Sequence, residues 1–292
     1  MVASLKMDDI LKEALSTLTL IPTGKRGGGC INEGEAYLVD SGTVFVKRNK
    51  KSQARLMFDG ELEGLRAIAA TRTVRVPQPV ALVDTPRGGA ALVLEYVDMC
   101  GLRGSSRQLG ESLARLHLHN AGLGEAFRGG APAHEARFGF HVPRAACGYL
   151  PLDNTWSDDW PMIEKDYGDR EALELWSELQ LKVPSFFKDL EIKPALLHGD
   201  LWGGNAAENV EGPVIFDPAS FYGHHEFELS ISAMFGGFPT NFFSAYHKII
   251  PKAPGFDTRQ KLYQLFHYLN HWNHFGASYR GSTISIMKSL VK

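Results

Sequence analysis

The chain has 292 residues, 44% hydrophobic and 22% charged, with 31 Lys and Arg against 33 Asp and Glu for a formal net charge of −2. A chain of this length buries about three quarters of its unfolded surface and needs no staples, and its balanced charge leaves no basic stretch able to track a phosphate backbone, so nucleic acid is excluded as a partner. Cys30, Cys100 and Cys147 lack metal-ligand spacing, and no apolar run approaches the ~18 residues of a membrane span, which points to a reducing, cytoplasmic setting and no membrane partner.

Residues 5–20 place Leu5, Ile10, Leu11, Leu15 and Leu18 at helical spacing, and Lys6, Asp8, Asp9, Lys12 and Glu13 interrupt any signal-peptide core. A glycine-rich stretch, 24–34, leads into strand character at 36–39, a turn at 40–42 and a strand at 44–47. A helix is expected over 54–70, then strands at 80–83 and 90–97 around the turn 86–89. From about residue 98 the pattern turns helical. Residues 108–119 put Leu109, Leu113 and Leu116 on a buried side, with Leu118 a further candidate, whereas 121–138, rich in Gly and Ala, read as a loop. Helices follow at 164–181, 226–248 and 260–275. The order is therefore a β-rich lobe (1–97), a connector near 95–98, and a mostly helical lobe (98–292) with a small β insertion, an α+β fold of two lobes.

The chemistry sits in that insertion. Leu196 and Leu197 run into His198-Gly199-Asp200, Asn205 stands five residues after Asp200, and a second apolar run, Val214-Ile215-Phe216, ends on Asp217. A carboxylate to meet an acceptor hydroxyl, followed by an amide and a second carboxylate able to hold Mg²⁺, is the layout of a phosphoryl-transfer site. Asp200 is the candidate base, Asn205 and Asp217 the candidate metal ligands, and His198 an orienting residue. Lys47 ends the third strand and Glu61 lies on the next helix, the arrangement that grips nucleotide phosphates. Gly27, Gly28 and Gly29, one hairpin earlier, free the backbone to close over phosphates, although a plain hairpin turn would use the same glycines. His224, His225, Glu226 and Glu228 form a polar cluster suited either to an acceptor or to helix capping. His267, His271 and His274 share a helical face, but the surrounding aromatics read as packing or as an acceptor pocket rather than as a zinc site. Cys30, inside the glycine loop, is a redox candidate that could join two copies of the chain; otherwise the protein is a monomer.

Together, the strings GGGCINEG, VFVKRN, MFDGE, LLHGDLWGGN, FDPASFYGH, MFGGF, YHKIIPKAPGF and LFHYLNHWNHFG resemble the fructosamine-3-kinase and ketosamine-3-kinase family, on the ketosamine-3-kinase side, over nearly the whole chain. The resemblance implies a protein-kinase-like fold close to that of aminoglycoside phosphotransferases. It also implies transfer of the ATP γ-phosphate to the 3-hydroxyl of ribulosamine, psicosamine or fructosamine adducts, on glycated proteins or small ketosamines, with loss of the 3-phosphate then regenerating the amine. By the same resemblance, Asp200 is the base, Asn205 and Asp217 hold Mg²⁺, Lys47 and Glu61 grip phosphate, and the backbone of Glu95, Tyr96 and Val97 meets adenine. His224 and Glu226 of the polar cluster and Trp272 of the aromatic helix are acceptor candidates from the residues themselves. The sequence departs from the family at Met162, where Pro161 runs directly into Ile163 as though roughly a dozen residues were skipped. Alternatives are therefore another small-molecule kinase of this fold, or a non-catalytic variant.

Overall fold

A computed structural model describes residues 7–27, 32–85, 88–126, 135–142, 144–146, 150–152, 154–157 and 169–292. Cys30, Gly28, Gly29, Cys147 and the junction at Met162 lie outside the described residues.

The N-terminal part is a helix α1 (Met7–Ala14) followed by strands β1 (Ile21–Gly27), β2 (Glu33–Val39) and β3 (Gly42–Asn49), helix α2 (Ala54–Thr71), and strands β4 (Pro79–Asp84) and β5 (Ala90–Glu95). The strands form one antiparallel sheet in the order β1-β2-β3-β5-β4. β5 is buried on both faces, so it reads as a continuous apolar run. Its Ala91 and Val93 pack with Val44, Val46, Tyr37, Val39 and Leu11 of α1, while Ala90, Leu92 and Leu94 face Phe58, Leu65 and Ile68 of α2. The pleat decides where Lys47 points: Val44 and Val46 are taken by the α1 side, so Lys47, opposite Leu92, projects toward α2.

The remainder comprises β6 (Cys100–Gly101), α3 (Ser106–Ala126), β7 (Arg144–Ala146), β8 (Leu150–Leu152), α4 (Arg170–Phe186), β9 (Ala195–Leu197), β10 (Ala206–Asn209), β11 (Gly212–Ile215), β12 (Phe221–Gly223), α5 (His225–Ser232), α6 (Thr240–Ile249), α7 (Phe256–Phe275) and α8 (Arg280–Val291). β9 pairs with β12, and β10 pairs with both β11 and β6. One core joins α2, α3, β5, β9 and α5–α7; a second lies between α4, α7 and α8. No helix among the described residues is long and apolar enough to cross a membrane.

The structure corrects several element boundaries. The single helix expected over 226–248 is two, because Phe235, Gly236 and Gly237 all take positive φ and Pro239 precedes α6. Part of the loop expected over 121–138 is helix, since α3 continues to Ala126. The α1 helix stops at Ala14, leaving Leu18 exposed. Leu118 is exposed, since it stands about 200° around the helix from buried Leu116. The helix expected over 164–181 starts at Arg170, where the Asp169 carboxylate caps the Ala172 N–H, and runs on to Phe186.

Candidate active site

The Lys47 ammonium meets three carboxylate oxygens at 2.7 Å: both of Glu61 and Oδ1 of Asp217. Lys47 and Glu61 are buried, while the Asp217 side chain is about one third exposed. Burial alone would push the lysine toward neutrality, but Asp217 and Glu61 outweigh it and hold the ammonium charged. For Glu61 burial dominates: with Lys47 pulling down and Asp217 pushing up, its carboxyl is pushed up to about 7. Helix α2 reaches this cluster through Gly64. A Cβ there would lie 2.9 Å from Ser220 Oγ and 3.1 Å from Pro218, so the helix can lie against the segment after Asp217 only because that residue is glycine.

Asp200 is placed by a lattice of bonds around His198. His198 Nε2 donates to the Phe216 carbonyl (2.9 Å), which leaves Nδ1 to accept the Asp200 N–H (3.3 Å). Burial keeps the ring neutral, so this tautomer ties the Asp200 loop to the Asp217 strand end. The Ala219 N–H donates to the His198 carbonyl at 2.8 Å. Gly199, at φ 84°, lets these chains meet, because a Cβ would sit 2.0 Å from the Ala219 oxygen. Asn205 Nδ2 donates to both the backbone oxygen (2.8 Å) and Oδ2 (3.1 Å) of Asp200. Among the described residues, Asn205 Oδ1 and Asp217 Oδ2 accept no hydrogen bond. An amide oxygen and a carboxylate oxygen are the hard donors that suit Mg²⁺. Asp217 is held at φ 58°, an uncommon conformation for a non-glycine residue that turns its carboxylate toward Lys47.

Near the connector, the Glu95 carboxylate accepts from Arg75 (2.6 Å) and from the Gln78 N–H (3.1 Å). Arg75 also reaches Glu211 at 2.6 Å on the β10–β11 turn. Lys25 of β1 donates to the Tyr96 hydroxyl at 2.8 Å, which donates in turn to Asp98. β1 and the connector that carries Tyr96 and Val97 thus face each other. Gly27 packs its bare Cα beside the Phe45 ring.

The acceptor candidates separate. His224 and Glu226 are interior rather than at an open surface: His224 Nδ1 pairs with the Tyr263 hydroxyl at 2.8 Å, and both Glu226 oxygens accept from buried Arg259 at 2.7 and 2.8 Å. A buried carboxylate is tolerable only when paired, so this pair fastens α5 to α7. Trp272 is half-buried against the α4–α8 core. His224, His225 and Glu226 have metal-type atoms within 4.8 Å of one another, but the Arg259 bonds already occupy the carboxylate. His267, His271 and His274 form no such group among the described residues; His271 Nδ1 donates to the His267 carbonyl, and the His267 ring packs on Phe227 and Phe266.

The grip of Glu228 on the loop that carries Asp200, and the exposure of Trp202 beside that loop, were not legible in the sequence. Glu228, buried on α5, accepts the N–H groups of His198 and Gly199. Trp202, two residues after Asp200, stays 37% exposed. Glu228 was visible only as one member of a polar cluster, and Trp202 only as a hydrophobic letter beside the motif.

The family model described as fructosamine kinase matches residues 6–292. A ketosamine-3-kinase of Mus musculus is 54% identical, with 98% of this chain and all of the mouse protein covered, and the alignment runs over 310 positions, so the mouse protein has residues that this chain lacks. A chloroplastic protein-ribulosamine 3-kinase of Arabidopsis thaliana is 38% identical over 97% of this chain and 86% of its own length. Among solved structures, a candidate fructosamine-3-kinase from Thermobifida fusca superposes with a TM-score of 0.77 at 26% identity, covering 96% of each chain. The aminoglycoside phosphotransferase APH(4)-Ia superposes with a TM-score of 0.57 at 12% identity over 97% of each chain, a likeness of fold alone.

Proposed function

The chain belongs to the fructosamine kinase family, and from that membership we propose that it is an ATP-dependent ketosamine 3-kinase that phosphorylates the 3-hydroxyl of ribulosamine, psicosamine or fructosamine adducts on protein lysines. Loss of the 3-phosphate by elimination then regenerates the amine, so the reaction serves deglycation. The observation that carries the reading is the junction of the two acidic loops. Asn205 holds Asp200 by its backbone and its carboxylate, Lys47 holds Asp217, and His198 bonds across from one loop to the other.

In this reading Asp200 accepts the proton of the acceptor 3-hydroxyl as that oxygen bonds to the γ-phosphorus, and the bond from phosphorus to the bridging oxygen breaks with its electron pair leaving on ADP. Lys47 grips nucleotide phosphate, with Glu61 fixing its direction. The backbone of Glu95, Tyr96 and Val97 receives adenine, and the stretch beginning at Gly27 covers the phosphates. Asn205 and Asp217 are the residues that would hold Mg²⁺, which when bound neutralises charge on the phosphates. Division into lobes at 97/98 follows from the same reading, with the site between them.

The test is a Mg-ATP assay against ribulosyl-, psicosyl- and fructosyl-lysine. Phosphorylation of at least one at the 3-hydroxyl supports the reading. ATP binding without transfer to any of them would overturn it, in favour of a different acceptor or a non-catalytic fold.

A further inference from the structure

A row of aromatic rings leads away from the candidate base. Trp202, two residues beyond Asp200, meets Phe235 edge to face at 6.4 Å between centroids. Phe235 lies at 4.6 Å and a 34° tilt from His271, and His271 lies 5.6 Å from Phe275 and 5.2 Å from Tyr279. The row is open to water: Phe235 is 42% exposed and Phe275 56%. Positions 271 and 275 are four apart on α7 and so share a face.

Two features separate this row from scattered surface apolar residues. Phe235 sits at φ 52° and is followed by two more left-handed residues, Gly236 and Gly237. A bulky side chain held there costs free energy, and such strain concentrates where a chain element serves a ligand. Two basic side chains in and beside the row, His271 and Arg280, do not offer it a charge. His271 donates Nδ1 to the His267 carbonyl, and burial, only partly offset by that bond, lowers its pKa, so the ring presents a neutral face. Arg280, next to Tyr279, turns instead to Asp169 and Glu171.

We propose that Phe235, His271, Phe275 and Tyr279 form the platform for the polypeptide side of the acceptor, an extended segment flanking the sugar-bearing lysine. The inference rests on the ketosamine reading above. A ketoamine nitrogen is a secondary amine, protonated at neutral pH and joined to a flexible methylene stem. Neutral ring faces attract such a cation and bury such a stem, and the row starts beside the residue that would receive the sugar hydroxyl. A free sugar amine would use only the near end, whereas a glycated protein would use its full length.

The experiment compares free ribulosyl-lysine with a short peptide carrying ribulosyl-lysine at its centre, using the full chain and its Phe275→Ala, Tyr279→Ala and Phe275→Tyr variants. Phe275→Ala and Tyr279→Ala should each raise KM for the peptide by about five- to tenfold, with kcat and the KM for free ribulosyl-lysine within about twofold of the parent, and Phe275→Tyr should restore the peptide KM. Unchanged KM for both acceptors, or an equal loss on both, overturns the platform while leaving the ketosamine reading intact. Conversion of a dimer into a monomer with both KM values unchanged assigns the row to a second copy of the chain and overturns it as well. A parent protein that phosphorylates neither acceptor overturns the ketosamine reading, and this inference with it.

Discussion

The carboxylate of Glu228 accepts the backbone N–H of Gly199 at 3.1 Å and also that of His198. It is fully buried, and although burial opposes its charge, the neighbouring His117 and the Gly199 N–H hold its pKa below the ordinary range. The loop that carries Asp200 is thus gripped from beneath by a fixed negative charge on α5, at the point where Gly199 takes a left-handed turn.

Glu228→Gln keeps the size of the side chain but replaces one acceptor oxygen with a donor. Hydrogen bonds to charged groups are worth about 1.5–3 kcal/mol each, so loosening the loop should lower kcat by about 10- to 100-fold. The KM for ATP should move less than about threefold, because Lys47 and the connector are untouched. Steady-state kinetics alongside circular dichroism would check this; a stable variant with normal kcat would refute the positioning role.

For the base itself, Asp200→Asn preserves the backbone oxygen that Asn205 holds and removes the proton acceptor. Turnover should fall by about 10²–10⁴, with ATP affinity within a few-fold of the parent. Single-turnover kinetics and equilibrium nucleotide titration on the same preparation separate the two effects.

Asp200 and Asp217 were legible as candidates because each follows an apolar run, Asn205 because it stands five residues after Asp200, and Lys47 by its place on the third strand, which continues to Asn49 instead of ending at the lysine. Glu61 was legible from its helix and its distance from Lys47 along the chain. Glu228, Arg259 and Gly64 were not, because their roles exist only where α5, α7 and α2 meet other elements. A glutamate in the first turn of a helix also looks like a cap, which hid Glu226 and Glu228 alike. The break at Phe235 did have a signal, Gly236-Gly237 followed by Pro239, but the aromatic periodicity on either side masked it.

Glu61 supplies a pH dependence whose sign can be worked out. Its pKa is pushed from 4.5 to about 7, by burial first. Between those values the folded protein retains a proton that the unfolded chain has released, so the stabilising contribution is complete below pH 4.5 and is lost as pH rises through 7. Glu61→Gln does not titrate. The melting temperature of the parent should therefore fall relative to that of Glu61→Gln between pH 5 and pH 8 (thermal melts in matched buffers at about equal ionic strength). Activity should move the opposite way: above pH 7 the parent has an ionised Glu61 to direct Lys47, so the variant's deficit in kcat/KM for ATP should reach about tenfold there and shrink toward pH 6. A constant deficit across that range would show that Glu61 does not titrate in it.

The contact of α2 with the segment after Asp217 makes Gly64 a sensitive position. In Gly64→Ala the new methyl carbon would stand 2.9 Å from Ser220 Oγ, 3.1 Å from Pro218 Cγ and 3.2 Å from Ser220 Cβ, all on a segment that Gly199 and His198 already confine. Overpacking of this kind costs about 1–3 kcal/mol, against which alanine returns up to about 1 kcal/mol in helix propensity. Relief by an outward shift of the helix would lengthen the 2.7 Å contacts that Lys47 makes with Glu61 and Asp217. The expected result is a lower melting temperature by a few degrees, together with a kcat/KM for ATP reduced about tenfold. Ser220→Ala removes the nearest clashing atom, so in the double variant part of both losses should return, a coupling that a double-mutant cycle measures directly. Additive losses would mean that α2 and the Asp217 segment do not communicate through this contact.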